Sequence, residues 1–219
     1  MRTSPITISD NTIRRLSKYL RKLQELESEG VQKTSSFELG TLLGHTASQV
    51  RQDFSCFGEF GQQGYGYNVT LLRKSIEEIL GVNSGLTAIL IGVGNIGKAL
   101  LANFPFEECG VRLLAAYDAD PKLVGSSVHG MKVQNRAALD KRLKHELPDI
   151  AILCVSQNEA VSAAKYLAER GIQAIWNYTN REILPPDSHV MVENVHFTDS
   201  LHTLCYYVTK EKKQSEKQN

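Results

Sequence analysis

No stretch of the chain approaches the ~20 consecutive apolar residues that a membrane-spanning helix needs, and the opening MRTSPITISDN has no signal-peptide pattern. A cytoplasmic protein with no membrane partner is therefore expected. Charge of one sign is missing too. With a formal net charge of +1 there is no global field to gather nucleic acid or lipid, and any such binding must come from a local patch. Cys56, Cys109, Cys154 and Cys205 stand far apart without a C-x-x-C, which leaves neither a zinc site nor a disulfide framework to expect. Each thiol reads as filler in or near a core, and redox activity stays open. Nor does any His sit with a paired acid or Lys at a catalytic spacing, so the sequence offers no catalytic residue and no metal-ligand set.

What the chain does have is 42% hydrophobic residues over 219 positions, enough for one large domain or two small ones. Its most informative stretch runs from Ala88 to Asp118. Ala88 to Ile91 suits a buried parallel strand, and Gly92, Gly94 and Gly97 then supply the G-x-G-x-x-G spacing of a dinucleotide-binding turn. Gly92 permits the tight turn, Gly94 lets backbone approach a pyrophosphate, and Gly97 lets the next helix pack closely on the sheet. Val93 lies inside the loop, and the amides near Asn95 and Ile96 would meet the phosphates at the positive end of that helix. A second apolar run, Val111 to Tyr117, ends in Asp118, a little beyond the usual interval of ~20 residues after the glycines. A carboxylate there accepts both ribose hydroxyls of an adenosine and repels a 2′-phosphate, which selects NADH and NAD+ over their phosphorylated forms. Asp120 and Pro121 turn the chain away, with Asp120 a second candidate for the ribose. A fold of this type that had lost its ligand would carry the same glycines.

Ahead of this unit, Ile13, Leu16, Leu20 and Leu23 repeat at helical spacing after a start at Ser9 and Asp10, and the pattern stops at Gly30. The other faces carry Arg14, Arg15, Lys18, Arg21 and Lys22 without an acid: either a solvated surface, or one facing phosphate or a neighbouring domain. Ser35 and Glu38 form a capping box that opens a short helix ending at Gly44. Thr46 and Gln49 form a second, opening a helix from Ala47 to about Phe57. Two short helices across a tight turn fit a helix-turn-helix, whose second helix enters the major groove. There Ser48, Gln49, Arg51, Gln52 and Ser55 are the DNA-binding candidates, since Arg suits guanine edges, Gln adenine edges and Ser either base or phosphate. A polar helix surface with no ligand would look the same. Asp53 would be repelled by DNA and is expected to turn toward the domain. GEFGQQGYGYNV, 58 to 69, alternates glycine with aromatic and polar residues as a hairpin does. Behind a helix-turn-helix it makes a wing, with Gln62 and Gln63 at its tip and Phe60, Tyr65 and Tyr67 at its base, and Tyr67 joins the DNA-facing set. Thr70 is expected to cap a helix, Leu71 to Leu80, and GVNSG, 81 to 85, to be the hinge.

Beyond the glycine loop, strands and helices alternate: Lys132 to Gln134, a helix from Arg136 to Glu146 stopped by Pro148, then Ile150 to Val155, Glu159 to Arg170, Gln173 to Trp176 and the short run Val190 to Glu193. That alternation gives an α/β fold with a Rossmann-type doubly wound parallel sheet. Strand ends near Val155 to Gln157 and Asn177 to Thr179 come beside the glycine loop, which adds Val155, Tyr178 and Thr179 to the cofactor set. Phe197, Leu201, Leu204 and Tyr207 or Val208 form an apolar helical face that no later element covers completely. It either packs on its own sheet or exchanges with a second subunit, and the match between twofold dimers and palindromic DNA favours exchange. The charged tail KEKKQSEKQN is expected to be disordered. The expected organisation is a winged helix-turn-helix DNA-binding domain at 1–81, a Rossmann NAD(H)-binding domain at 82–196, a domain-swapped helix at 197–209 and a tail at 210–219.

From about Ile13 to Tyr207 the chain resembles the Rex family of bacterial redox-sensing transcriptional repressors. The likeness is carried by QVRQDFSCF (Gln49 to Phe57), GEFGQQGYGY, GVGNIG with YDADP, and VENVHFTDSL. It implies a homodimer gripping double-stranded operator DNA through twofold-related winged helices, with NADH lowering operator affinity and NAD+ competing for the same pocket. It also implies that Phe197 reaches the partner's nicotinamide pocket. Many members have Lys where Gln52 stands and Arg where Gln63 stands, which bears on operator preference more than on DNA binding itself. Many also carry a Tyr and an Asp that communicate with an Arg of the first helix. The matching positions here are Phe104, His196 and Arg21, so that relay cannot form in the same way. His196 is either a charge sensor in its place or a structural histidine. Two other classes compete: an NAD-dependent dehydrogenase with a helical N-terminal extension, which would need a substrate domain after the sheet, and a cofactor-binding subunit acting only on protein partners.

Overall fold

The computed structural model describes residues 8–58, 60, 66–183 and 189–216. It divides into two units, Met1–Ser84 and Gly85–Asn219, and the division falls inside the segment expected to be the hinge.

In the first unit, helix α1 (Asp10–Ser28) starts where the Ser9 hydroxyl accepts from Thr12 N, and it buries Leu16, Tyr19, Leu20 and Leu23. Ile13, expected inward, is 37% exposed. Thr12 takes the inward place at that turn, its hydroxyl tied to Ser9 and to Arg15. Strand β1 (Lys33–Thr34) precedes α2 (Ser36–Leu43), which carries the expected Ser35/Glu38 capping box and ends at Gly44 with φ 71°. Helix α3 (Ala47–Ser55) is capped by Thr46, whose hydroxyl accepts from Gln49 N. The reciprocal half of that expected box is not made, because the Gln49 side chain donates instead to Asp53.

Strand β2 (Tyr67–Asn68) pairs antiparallel with β1. Of the expected wing, residues 59 and 61–65, with Gln62, Gln63 and Tyr65, lie outside the described residues. Helix α4 (Val69–Ile79) is capped by Asn68, not by Thr70. The Thr70 hydroxyl is already committed to Glu27. One core built on Leu16, Tyr19, Leu39, Val50, Phe54 and Leu72 joins the helices.

The second unit runs β3 (Leu86–Ile91), α5 (Asn95–Asn103), β4 (Val111–Asp118), β5 (Ser127–Val128), β6 (Met131–Asn135), a 3-10 turn (Arg136–Ala138), α6 (Leu139–His145), β7 (Ile150–Leu153), α7 (Gln157–Ala168), β8 (Ala174–Asn177), β9 (Met191–Asn194) and α8 (Phe197–Glu216). The sheet order is β5-β6-β4-β3-β7-β8-β9. Among the described residues of this sheet only β5, a short edge strand that the sequence did not lead one to expect, pairs antiparallel. Numbered along the chain, the six parallel strands lie 3-2-1-4-5-6, so the direction of winding reverses at β3 and a crevice opens beyond its C-terminal end. Side chains alternate between two buried faces: Ile89, Ile91, Ala115 and Tyr117 on one, Ala88, Leu90 and Ala116 on the other.

Helix α8 has no buried residue within the chain. The tail expected to be disordered from residue 210 is helical through Glu216. Its Lys, Glu and Gln side chains are unbranched and lose little rotamer freedom in a helix, so the charge does not break it. Among the described residues no helix is long and apolar enough to cross a membrane.

Candidate dinucleotide and nucleic-acid sites

The glycine loop is shaped by backbone packed against backbone. Gly92 has φ 94°, and a Cβ there would lie 2.6 Å from the carbonyl of Cys154 at the end of β7. A Cβ on Gly97 would lie 2.1 Å from the Gly92 carbonyl, so only glycine lets α5 start this close to the sheet. Gly94 differs: a Cβ there would meet nothing within 4 Å. It opens on space that a ligand can fill. No side chain caps α5, and Gly94, Asn95 and Ile96 are all exposed, so its first amides are orphan donors pointing out of the helix.

Asp118 closes the other side. Its Oδ2 accepts from Val93 N at 2.6 Å and its Oδ1 from Asp120 N at 2.8 Å. Both oxygens keep a further lone pair for a ribose hydroxyl. Asp120 accepts from Lys122 N at 2.9 Å, the local bond of a turn residue.

Gly92, Gly94, Asp118 and Val155 line one cavity of ≈190 Å³, together with Arg136 and Glu159. Whole ligand sites run to about 300–1,000 Å³, so this volume suits one half of a dinucleotide. Val93 and Gly97 are buried behind the loop. Tyr178 and Thr179 follow β8 and are also buried, outside that cavity. Thr179 donates its hydroxyl to Asn177 Oδ1 at 2.7 Å, and Asn177 in turn donates to Arg181 O and to Asn194, each at 2.7 Å. This amide, hidden at a strand end and with all its bonds made, sets the shape of the loop. Its one sequence signal was a polar residue closing an apolar strand.

Phe104 meets Trp176 edge-on at 5.1 Å, Trp176 meets Tyr178 at 4.8 Å, and Tyr178 lies 6.2 Å from Phe197 of the same chain. Burial pushes the Tyr178 hydroxyl up to about 12 and the Cys154 thiol up to about 12. Cys154 thus lines the cavity as a protonated thiol.

On α3, Ser48, Arg51, Gln52 and Ser55 recur at i, i+3, i+4 and i+7 and are all exposed, so they form one stripe. Arg51 is braced there by donating to Ser36 Oγ at 3.0 Å and Ser48 Oγ at 3.2 Å. Gln49 stands apart from the stripe, half-buried, with its amide 2.9 Å from Asp53 Oδ1. Tyr67 packs edge-on against Phe54 at 5.3 Å, a core contact. Asp53 faces inward as expected and is 1% exposed. It takes bonds from Arg15, Tyr19 and Gln49. The basic residues of α1 therefore have acids after all: Arg15 pairs with Asp53 of α3, and Lys22 with Glu25 of α1 itself.

Comparison with known proteins gives the same division of labour. Residues 7–55 match the family described as "Putative DNA-binding protein N-terminus", and residues 83–181 match "CoA binding domain". The chain is 44% identical to the redox-sensing transcriptional repressor Rex of Clostridium beijerinckii, covering 93% of this chain and 96% of that one. It is 43% identical to the Rex of Caldicellulosiruptor saccharolyticus, over 91% and 90%. The protein belongs to the Rex family.

Solved Rex-family structures superpose over nearly the full length. A crystal structure of RSP in complex with beta-NAD+ and operator DNA gives a TM-score of 0.85 at 39% identity, covering 95% of this chain and 96% of that one. RSP in complex with beta-NADH gives 0.88 at 36% identity, covering 96% and 98%. Phe104 was expected to depart from the relay that the family resemblance implies. With no hydroxyl it packs on Phe106 at 4.8 Å and on Trp176, and contributes area instead of a hydrogen bond.

Proposed function

We infer that the protein is a redox-sensing transcriptional repressor and not an enzyme: a homodimer that grips palindromic operator DNA and releases it when NADH binds. The observation that carries this is the pairing, in one chain, of an uncapped glycine loop facing Asp118 with an exposed Ser48/Arg51/Gln52/Ser55 stripe on a helix-turn-helix. Rex relatives solved with operator DNA and beta-NAD+, and with beta-NADH, support it.

The orphan amides of Asn95 and Ile96 hold the pyrophosphate, Asp118 holds the adenosine ribose, and the segment Tyr178–Thr179 meets the nicotinamide end. The bound dinucleotide supplies a ring whose reduced form is neutral and whose oxidised form is cationic. A ligand shifts an equilibrium only by its differential affinity for the two states, so the residues around that ring must favour the reduced form in the DNA-free arrangement. A second copy covers the apolar stripe of α8, with Phe197 reaching the partner's nicotinamide pocket, and twofold symmetry then presents two recognition helices to two half-sites. The setting proposed is the cytoplasm.

The test titrates NADH and NAD+ separately into the protein bound to a labelled palindromic duplex and follows anisotropy. NADH should release the duplex and NAD+ should not. Equal retention under saturating NADH would sink the proposal.

A further inference from the structure

Resting on the dinucleotide reading above, we propose that Arg136 is a further cofactor-binding residue whose guanidinium stacks on the adenine base.

Strand β6 runs parallel to β4 with Asn135 opposite Asp118, so the next residue emerges at the same sheet edge as the ribose carboxylate. That residue is Arg136. Its side chain lines the ≈190 Å³ cavity together with Gly94 and Asp118. Gly94 marks the phosphate end and Asp118 the ribose, so the space beyond Asp118 belongs to the base.

The guanidinium is held without being used up. Its Nη1 lies 3.7 Å from Glu159 Oε1, an ion pair but longer than a hydrogen bond. It stands 6.0 Å from the Tyr166 ring centroid, the outer limit of a cation–π contact. Glu159 is itself fixed, because its other oxygen accepts from Ser156 Oγ at 2.8 Å. Its side chain is 28% exposed where it lines the cavity, and a guanidinium so partly desolvated is a planar cation that can stack on an aromatic ligand. Glu159 and Asp118 line the same cavity as Arg136, so its wall carries two carboxylates and one guanidinium. That balance disfavours a phosphate on the ribose and leaves the planar cation a neutral aromatic ring.

The test uses the full chain and isothermal titration with ADP-ribose, which lacks the nicotinamide. Arg136→Met keeps the aliphatic stem and loses the flat cation, and ADP-ribose should bind roughly five- to twentyfold more weakly, with ligand-free operator affinity unchanged. Arg136→Lys should fall between, and it gives the same reading should the Met variant fail to fold. Asp118→Ala is the parallel control. Wild-type ADP-ribose affinity in both Arg136 variants alongside a large loss in Asp118→Ala would overturn this proposal and leave the dinucleotide site standing. Tight NADPH binding that vanished in Arg136→Met would also overturn it, by showing a phosphate ligand for the guanidinium. Failure of the wild type to bind NADH at all would sink the underlying reading.

Discussion

Arg15 Nε lies 2.6 Å from Asp53 Oδ2, and its Nη2 lies 2.7 Å from Oδ1, so a two-pronged ion pair bolts α3 to α1. Tyr19 OH adds a bond of 2.8 Å to the same carboxylate. A buried charge is tolerated only when its partners are complete, and here three side chains supply them. The carboxylate is thereby both a fold determinant and the part that fixes how α3 is presented.

Asp53→Asn should destabilise the N-terminal unit by about 2–3 kcal/mol, below the ~3–5 kcal/mol of a fully buried broken pair because Arg15 still reaches water. Burial pushes the Asp53 carboxyl up, but the bonds from Arg15, Tyr19 and Gln49 outweigh it and hold the group below its ordinary value. Its stabilising contribution is therefore complete above the unfolded value of about 3.9 and is lost as pH falls through the lower folded value. Urea midpoints measured from pH 6 to pH 2 should drop more steeply for the wild type than for Asp53→Asn. Parallel curves would show that the ion pair has no such linkage.

Arg51→Ala should weaken operator binding by about 1–3 kcal/mol, roughly five- to 150-fold, with NADH affinity untouched. Ser36 and Ser48 already hold the guanidinium, so little ordering remains to be done on binding. Anisotropy at several salt concentrations checks it, and the contact is to phosphate if the salt slope also drops by about one. Undiminished affinity would remove α3 as the reading helix.

Gly94→Ala and Gly97→Ala should separate ligand binding from folding. Open space faces Gly94, so its variant should melt near the wild-type temperature while NADH fluorescence titration shows lost affinity. Gly97→Ala forces Cβ against the Gly92 carbonyl and should lower both the melting temperature and the affinity. Normal NADH binding by Gly94→Ala would place the pyrophosphate elsewhere.

Leu204→Glu should convert a dimer to monomers in light scattering. Leu201, Leu204 and Val208 are 56%, 59% and 43% exposed on α8, at i, i+3 and i+7, and a charge in their midst would have to be desolvated on pairing. A dimer that survived the substitution would show that another surface holds the two copies together.

The sequence by itself determined the order of elements and their local ends. Hydrophobic period set α1 and the buried strands. Short-range chemistry set the Ser35/Glu38 box, the Gly44 stop and the glycine loop, because a cap or a tight turn depends on residues three or four apart. Where two local signals competed, the structure chose the other one: Asn68 took the cap expected of Thr70, and Thr12 displaced Ile13 from the core.

Tertiary structure alone decided which side chains are free to bind. Arg15 and Gln49 read as surface groups until Asp53, 38 and 4 residues away, claimed them. Arg136 read as the start of a helix until the register of β6 on β4 placed it beside Asp118. The edge strand β5 and the internal network of Asn177 were likewise invisible. Hydrogen bonds and ion pairs between residues distant in the chain form only once packing removes water and brings the partners together, so no local pattern encodes them.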